Sequence, residues 1–419
     1  MKKERILLCK PKMCGREMEF IRGALAEDWA VPLGPDCDAF ERDLERFAGE
    51  EKRVVALASG TAAIHLALIA CGVQPGDEVM VQSLTFCASA NPVAYLGAQP
   101  VFVDSEPQSW NMDPQLLDEA IADRIRVTGR TPKAIIPVAL YGMPYRIEEI
   151  LAVGAKYGIP VIEDAAEGFG SRYGGRMLGT FGSYGAWSFN GNKMITTSGG
   201  GALICPDEES ARRVLWYATQ AREAYPYYQH EMIGYNYRLS NISACIGRAQ
   251  MTVVDEYIAH HRRVERMYEE LLGDIEGFRM HGNPSEVSDS NFWLCTAQLA
   301  PDLHVRGEEM AYAQRVTGAV GGAAGVTRAQ ASAETDCQPR RNVEALRMAL
   351  DAAGVEARPL WKPMHRQPVY RDAPAYINGV AEGLFAGGIC LPAGPYVGAA
   401  EVRHIAGALR SAICRNFEG

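Results

Sequence analysis

Residues 182–203, GSYGAWSFNGNKMITTSGGGAL, constrain the chain more than any other stretch. The apolar run Ala186-Trp187-Ser188-Phe189 and the run Ala202-Leu203-Ile204 each read as a strand. Between them lie a polar loop, Asn190-Gly191-Asn192-Lys193, and a turn of Thr196, Thr197, Ser198 and three glycines. Glycine permits positive φ and close backbone approach, so such a loop can wrap a ligand instead of packing a core. A lysine held there can lose its water, which lowers its pKa and makes its amine a nucleophile toward a carbonyl. A lone loop lysine is ordinarily a solvated one. The reading of Lys193 therefore turns on its company upstream.

Pro160-Val161-Ile162 is a short β-branched run ending in Glu163-Asp164. A buried parallel strand there delivers Asp164 at its C-terminal edge, where open α/β sheets bind ligands. Val54 to Leu57 is a second apolar run, followed by Ser59-Gly60-Thr61-Ala62-Ala63 and an amphipathic helix pattern from Ile64. A strand, a Ser-Gly-Thr turn and a helix N-terminus form an anion site, because free N–H groups and the helix dipole face the ligand. A phosphate cradle, a carboxylate and a Schiff-base-competent lysine together suit pyridoxal phosphate.

Further apolar runs at Val79–Val81, Pro100–Val103 and Ala134–Val138 alternate with helix patterns at 113–122 and 147–156. That alternation implies a parallel sheet covered on both faces. Ahead of it, residues 16–28 read as a helix with Phe20, Ile21 and Leu25 on one face. Residues 36–48 read as another, with Phe40, Leu44 and Phe47 inward. The net charge of −9 argues against nonspecific nucleic-acid binding. The 11 cysteines include no C-x-x-C pair, which suggests reduced thiols and no zinc site. The apolar run near the N-terminus is too short for a signal peptide, and no segment approaches the roughly 20 residues that span a bilayer. The expectation is a soluble cytoplasmic protein without membrane partner.

Ser59-Gly60-Thr61-Ala62-Ala63, Gly76-Asp77-Glu78-Val79, Thr85-Phe86, Glu163-Asp164-Ala165-Ala166, Ser188-Phe189-x-x-x-Lys193, Gly199-Gly200 and Gly234-Tyr235-Asn236-Tyr237-Arg238 occur in this order. In that order the chain resembles the DegT/DnrJ-type nucleotide-sugar aminotransferases, which are fold-type-I pyridoxal phosphate enzymes. The resemblance runs from about Met13 to Ile405. It implies an α/β fold whose large domain holds a mostly parallel seven-stranded sheet, with a smaller C-terminal α/β domain. It also implies transfer of an amino group from an amino acid, glutamate by analogy, to a keto sugar nucleotide. A UDP-linked 4-keto-6-deoxy sugar for surface glycans is the first expectation, with dTDP, GDP or 3-keto substrates as alternatives.

The resemblance further implies roles. Lys193 is the Schiff-base lysine and proton carrier, and Asp164 keeps the cofactor's ring nitrogen protonated. Thr61, Ala62 and Ser188 hold the phosphate, Phe86 stacks on the ring, and Glu167 reaches the ring oxygen, where relatives often carry an amide or histidine. Asn236 reaches the cofactor of a neighbouring subunit, so the site needs a homodimer. Ser240 or Asn241 is the better cap for the helix that follows. Trp29, in a Pro/Gly loop, is either a substrate contact or a core or interface tryptophan. Trp361, Lys362 and His365 lie in W-K-P-M-H, which two prolines keep out of helix, and look like the segment that meets the sugar nucleotide. Relatives that dehydrate sugars carry histidine where this chain has Lys193. A regulatory protein with a vestigial site would lack the lysine or carry an added DNA-binding domain.

From about Thr252 the character changes. Residues 253–273 read as a long charged helix leading into the second domain, so the large domain is expected over 1–251 and the small one over 252–419. Asn291-Phe292-Trp293-Leu294 is expected to open a strand. Residues 302–340, with the glycines at 318, 321, 322 and 325, depart from the family pattern and read as a surface insertion.

Overall fold

The computed structural model describes residues 5–49, 51–312 and 337–414. The core of the insertion lies outside the described residues.

Seven strands form the main sheet. Their spatial order is Gln99–Val103, Glu78–Gln82, Ala134–Ile136, Ile162–Asp164, Tyr184–Ser188, Gly201–Cys205 and Arg53–Leu57, with the short Ala375–Tyr376 added at the first edge. The parallel bridges Ile135–Val161 and Val138–Asp164 join its two halves. Only Gly201–Cys205 runs antiparallel to its neighbours. The sheet is therefore mostly parallel, as expected, and alternate residues of each strand enter separate cores. Val54, Ala56, Met80 and Val101 face one core, and Val55, Leu57, Val79 and Phe102 face the other.

The helix Gly60–Ala70 corrects the amphipathic reading. Residues Gly60 and Ala62 to Leu68 are all buried, and a helix apolar on nearly every side must lie between other elements. It packs between the sheet and the helices Asn91–Tyr95 and Glu208–Ala218. At the surface, Glu17–Ala26 buries Glu17 and Ala24, whereas Leu25 is 52% exposed. Pro35–Ala48 does bury Phe40 and Leu44.

Beyond the long helix Val254–Leu272 lies a second, antiparallel sheet. Its order is Phe278–Met280, Cys295–Leu299, Gly388–Leu391 and Arg358–Pro359, and Arg341–Ala352 and Ala399–Ala412 share its core. The N-terminal stretch joins this part: Ile6 pairs with Val355, and Leu8 accepts from the Ala393 N–H. The Cys295–Leu299 strand begins later than expected. Asn291 to Leu294 instead form an irregular segment before it, with Phe292 at φ 49°.

Candidate active site

A cavity of about 640 Å³ opens at the C-terminal edge of the main sheet, against the second domain. Thr61, Phe86, Asp164, Glu167, Ser188, Lys193 and Trp361, all singled out from the sequence, line it. All but Trp361, which follows the Arg358–Pro359 strand of the second sheet, follow or end a strand of the main sheet or lie in its flanking loops, which is why local patterns found most of them. Trp293, Leu294, Glu356 and Arg358 come from the second domain, and Leu7 to Pro11 from the N-terminal stretch.

One part of the wall can seat an anion. Ser59 caps its helix by accepting the Ala62 N–H at 3.0 Å, and its carbonyl accepts the Ala63 N–H. Among the described residues no acceptor faces the N–H of Gly60 or Thr61. Gly201 is needed here: a Cβ on it would stand 2.4 Å from the Gly60 nitrogen. This close approach brings Ser188 beside the helix N-terminus. Ala62 itself does not line the cavity, since it is buried and its N–H is spent on the cap.

Asp164 ends its strand with 5% exposure. Its carboxylate accepts the Ser89 hydroxyl and the Ala166 N–H, and the Thr85 hydroxyl lies 2.7 Å behind Ser89. Burial raises its pKa, while these hydrogen bonds and the Lys193 charge oppose the rise. Its neighbour Glu163 serves the fold instead, accepting the N–H groups of Gly179, Phe181 and Gly182. Phe86 is 56% exposed and lines the cavity, so its ring is no core residue.

Lys193 Nζ lies 2.9 Å from Glu167 Oε1 and 4.0 Å from the centre of the Trp293 ring. Glu167 also accepts the Tyr141 N–H at 2.8 Å. Burial pushes the Glu167 carboxyl up to about 6, against the pull of Lys193. The Asn192 carbonyl accepts the Trp293 Nε1–H at 2.6 Å and the Cys9 thiol at 3.0 Å. Burial lifts that thiol to about 12, so it stays a donor. Asn291, wholly buried, donates to the carbonyls of Glu167 and Phe169 and accepts the Trp293 N–H. Tyr141 accepts the Trp361 N–H with its hydroxyl. Sequence reasoning singled out none of Ser89, Tyr141, Asn291 and Trp293 for the site, and no local pattern marks them.

Four expected residues lie elsewhere in the chain. Trp29 and Asn236 line a separate cleft of about 730 Å³ with Leu33, Gln220 and Arg238. His365 is tied on both ring nitrogens, 2.7 Å from Ser83 Oγ and 3.0 Å from Glu382 Oε1. The chain turns after Pro363 into the 3-10 turn Met364–Arg366, which carries His365 away from the cavity that Trp361 lines; Lys362 does not line it either. His365 is a tie between elements here, outside the lining of that cavity. Ser240 does cap Asn241–Met251, as expected.

The donor set fits pyridoxal phosphate. Gly60, Thr61 and Ser188 suit the phosphate, Asp164 a cationic ring nitrogen, the open face of Phe86 a flat ring, and Lys193 an aldehyde carbon.

Comparison with known proteins agrees. The sequence pattern of the DegT/DnrJ/EryC1/StrS aminotransferase family matches residues 11–318 and 327–410. EpsN of Bacillus subtilis (strain 168), provisionally named a pyridoxal phosphate-dependent aminotransferase, is 42% identical over 93% of this chain and 91% of its own. The GDP-perosamine synthase of Caulobacter vibrioides is 33% identical over 97% of each. A crystal structure of a DegT DnrJ EryC1 StrS aminotransferase from Brucella abortus superimposes with a TM-score of 0.80 at 29% identity, covering 94% of this chain and 95% of that one.

Proposed function

The chain belongs to the DegT/DnrJ/EryC1/StrS aminotransferase family, and from that premise we propose that it transfers an amino group from L-glutamate to a UDP-linked 4-keto-6-deoxy sugar. Sugar-nucleotide amination is the family's chemistry, and pyridoxal 5′-phosphate is its cofactor. The observation that carries the reading is the gathering of Lys193, Asp164 and the Gly60–Thr61 N–H groups around one cavity. The bound cofactor supplies the electron sink that lets a C–H bond next to nitrogen be broken.

The chain's own residues do the rest. Gly60, Thr61 and Ser188 bind phosphate, and Asp164 holds a proton on a ring nitrogen opposite it by charge pairing. Ser89 fixes that carboxylate's orientation. Lys193, when its amine is free, takes a proton from the substrate carbon and returns it elsewhere, working as general base and then acid. Glu167 sits within hydrogen-bond reach of the amine and balances its charge. Trp361, Trp293 and Phe86 form an aromatic wall that excludes water, with Phe86 and Trp361 centred 5.6 Å apart.

The working unit in this reading is a homodimer in the cytoplasm, with Asn236 serving the partner's cofactor. Supporting it, Asn236 lies in a cleft away from Lys193. Leu33 in that cleft is 57% exposed, and Ile233, close before Asn236, is 83% exposed. No described helix is long and apolar enough to cross a membrane. A GDP-linked acceptor is the second reading, favoured by the 33% identity to GDP-perosamine synthase.

The test is a panel of UDP-, GDP- and dTDP-linked 4-keto and 3-keto sugars with glutamate and cofactor, products read by mass. Amination of the UDP 4-keto-6-deoxy sugar first is expected. Turnover confined to a GDP-linked or 3-keto acceptor would replace the substrate assignment.

A further inference from the structure

Lys193 is gripped at two points by one side chain from the other domain. The loop 190–193 belongs to the main sheet, between Tyr184–Ser188 and Gly201–Cys205. Trp293 lies two residues before the Cys295–Leu299 strand of the second sheet. Its indole N–H donates to the carbonyl of Asn192, the residue just before the lysine, at 2.6 Å. Its ring face meets the lysine Nζ at 4.0 Å. Main chain and ammonium are thus set by a single group.

The indole has little freedom of its own. It is 3% exposed, its N–H backbone group donates to Asn291 Oδ1, and the preceding Phe292 takes φ 49°. Cys9 adds a second donor to the same Asn192 carbonyl, from the N-terminal stretch that pairs with Val355. Two segments lying with the second domain therefore converge on the loop that carries the amine.

The choice of an aromatic face has a physical reason. A buried ammonium needs partners in place of water, and Glu167 supplies only one, at 2.9 Å. A ring face attracts the ammonium through its quadrupole, yet it carries no charge to strand when the amine is neutral. A second carboxylate would hold the ammonium too firmly and would stand unpaired afterwards. An amine that must alternate between bonded, neutral and protonated states is better parked on a ring.

We propose that Trp293 is a positioning residue for Lys193, one that fixes the loop through Asn192 and parks the free amine on its ring, so that the seating of the second domain sets where the amine lies. This rests on the reading of Lys193 as the reactive amine, and its test does not need the substrate to be known. Cofactor-free protein is treated with an amine-reactive reagent, and the Lys193 adduct is followed by peptide mass. Trp293→Leu removes ring and N–H, and should label about 3- to 10-fold faster, inside the roughly 2- to 30-fold range of a lost cation–π contact. Trp293→Phe keeps a ring and should fall between. In turnover, kcat should drop in the same order while the KM of either substrate holds.

Unchanged labelling in a folded Trp293→Leu protein, checked by circular dichroism, overturns the proposal. So does a KM that rises while kcat holds, since Trp293 would then be a substrate contact. If the leucine variant does not fold, unchanged labelling and kcat in Trp293→Phe overturn it equally. Failure to aminate any sugar nucleotide would refute the proposed substrate class, and labelling would still decide this point.

Discussion

Asn291→Ala should be far more damaging than its distance from the reacting amine suggests. Its side chain is wholly buried and saturated: Nδ2 donates to Glu167 O at 2.7 Å and Phe169 O at 2.9 Å, and Oδ1 accepts the Trp293 N–H at 2.8 Å. Its own N–H donates to Ser171 Oγ at 2.9 Å. The fit is tight, because a Cβ on Gly142, at φ 95°, would stand 1.9 Å from Asn291 Oδ1. Truncation breaks three hydrogen bonds and leaves two carbonyls and one N–H buried without partners. At roughly 1–1.5 kcal/mol for each, the loss is about 3–5 kcal/mol.

Urea unfolding of the cofactor-free protein measures it, comparing midpoints at constant slope. Asn291→Asp should cost as much, since a carboxylate accepts the Trp293 N–H but cannot donate to the two carbonyls. kcat should fall in both variants, because Glu167 and Trp293, the two partners of Lys193, are both anchored here. A loss below about 1 kcal/mol in Asn291→Ala would mean water replaces the amide, and the reasoning from saturation would be refuted.

Other expectations follow from the same geometry. Glu167 is raised from 4.5 to about 6 in the fold, so between those values the folded state holds more protons than the unfolded one. Its contribution is thus full below about pH 4.5 and lost as pH rises through 6, worth about 2 kcal/mol by pH 7. The stability of Glu167→Gln relative to the parent should therefore improve by that amount from pH 4.5 to 7, and a pH-independent difference would exclude it. Lys193→Ala should abolish amino transfer with the circular dichroism spectrum intact; residual turnover at parental rates would remove the lysine from the reaction. Asp164→Asn should bind cofactor, seen by absorbance, yet lose most activity, and near-parental kcat would show that another group holds the ring proton. Mixing inactive Lys193→Ala and Asn236→Ala chains should restore activity at low cofactor concentration, because a mixed dimer rebuilds one whole site. Confirmed subunit exchange without recovery would mean that Asn236 does not serve a partner.

The part of the site that could be read in the sequence is the part that local structure delivers. Asp164 and Ser188 end strands, Thr61 opens a helix, and Lys193 sits in a loop between two strands, so each place follows from a short pattern. Trp293 reaches the cavity, and Tyr141, Asn291 and Ser89 hold the residues that line it, through packing between distant segments, and nothing in their neighbours signals it. The W-K-P-M-H run divides for a local reason. Pro363 starts a 3-10 turn, so residues four apart face different surroundings: Trp361 the cavity, His365 the Ser83–Glu382 tie. The helix Gly60–Ala70 misled because its few polar residues look like an outer face. His65 among them is buried beside Tyr235 and Tyr237.

Charge in the cavity then explains why two buried carboxylates three residues apart cannot share a task. Glu167 is neutralised within the chain by Lys193, 2.9 Å away. Asp164 makes no ion pair among the described residues; it has one hydroxyl, one N–H and the more distant lysine field. A carboxylate held buried in that way is costly unless a cation arrives. The uncapped Gly60 and Thr61 N–H groups pose the opposite need, for an anion. One molecule bearing a protonatable ring nitrogen and a phosphate answers both, and Lys193, paired with Glu167 and the Trp293 ring, lines the same cavity.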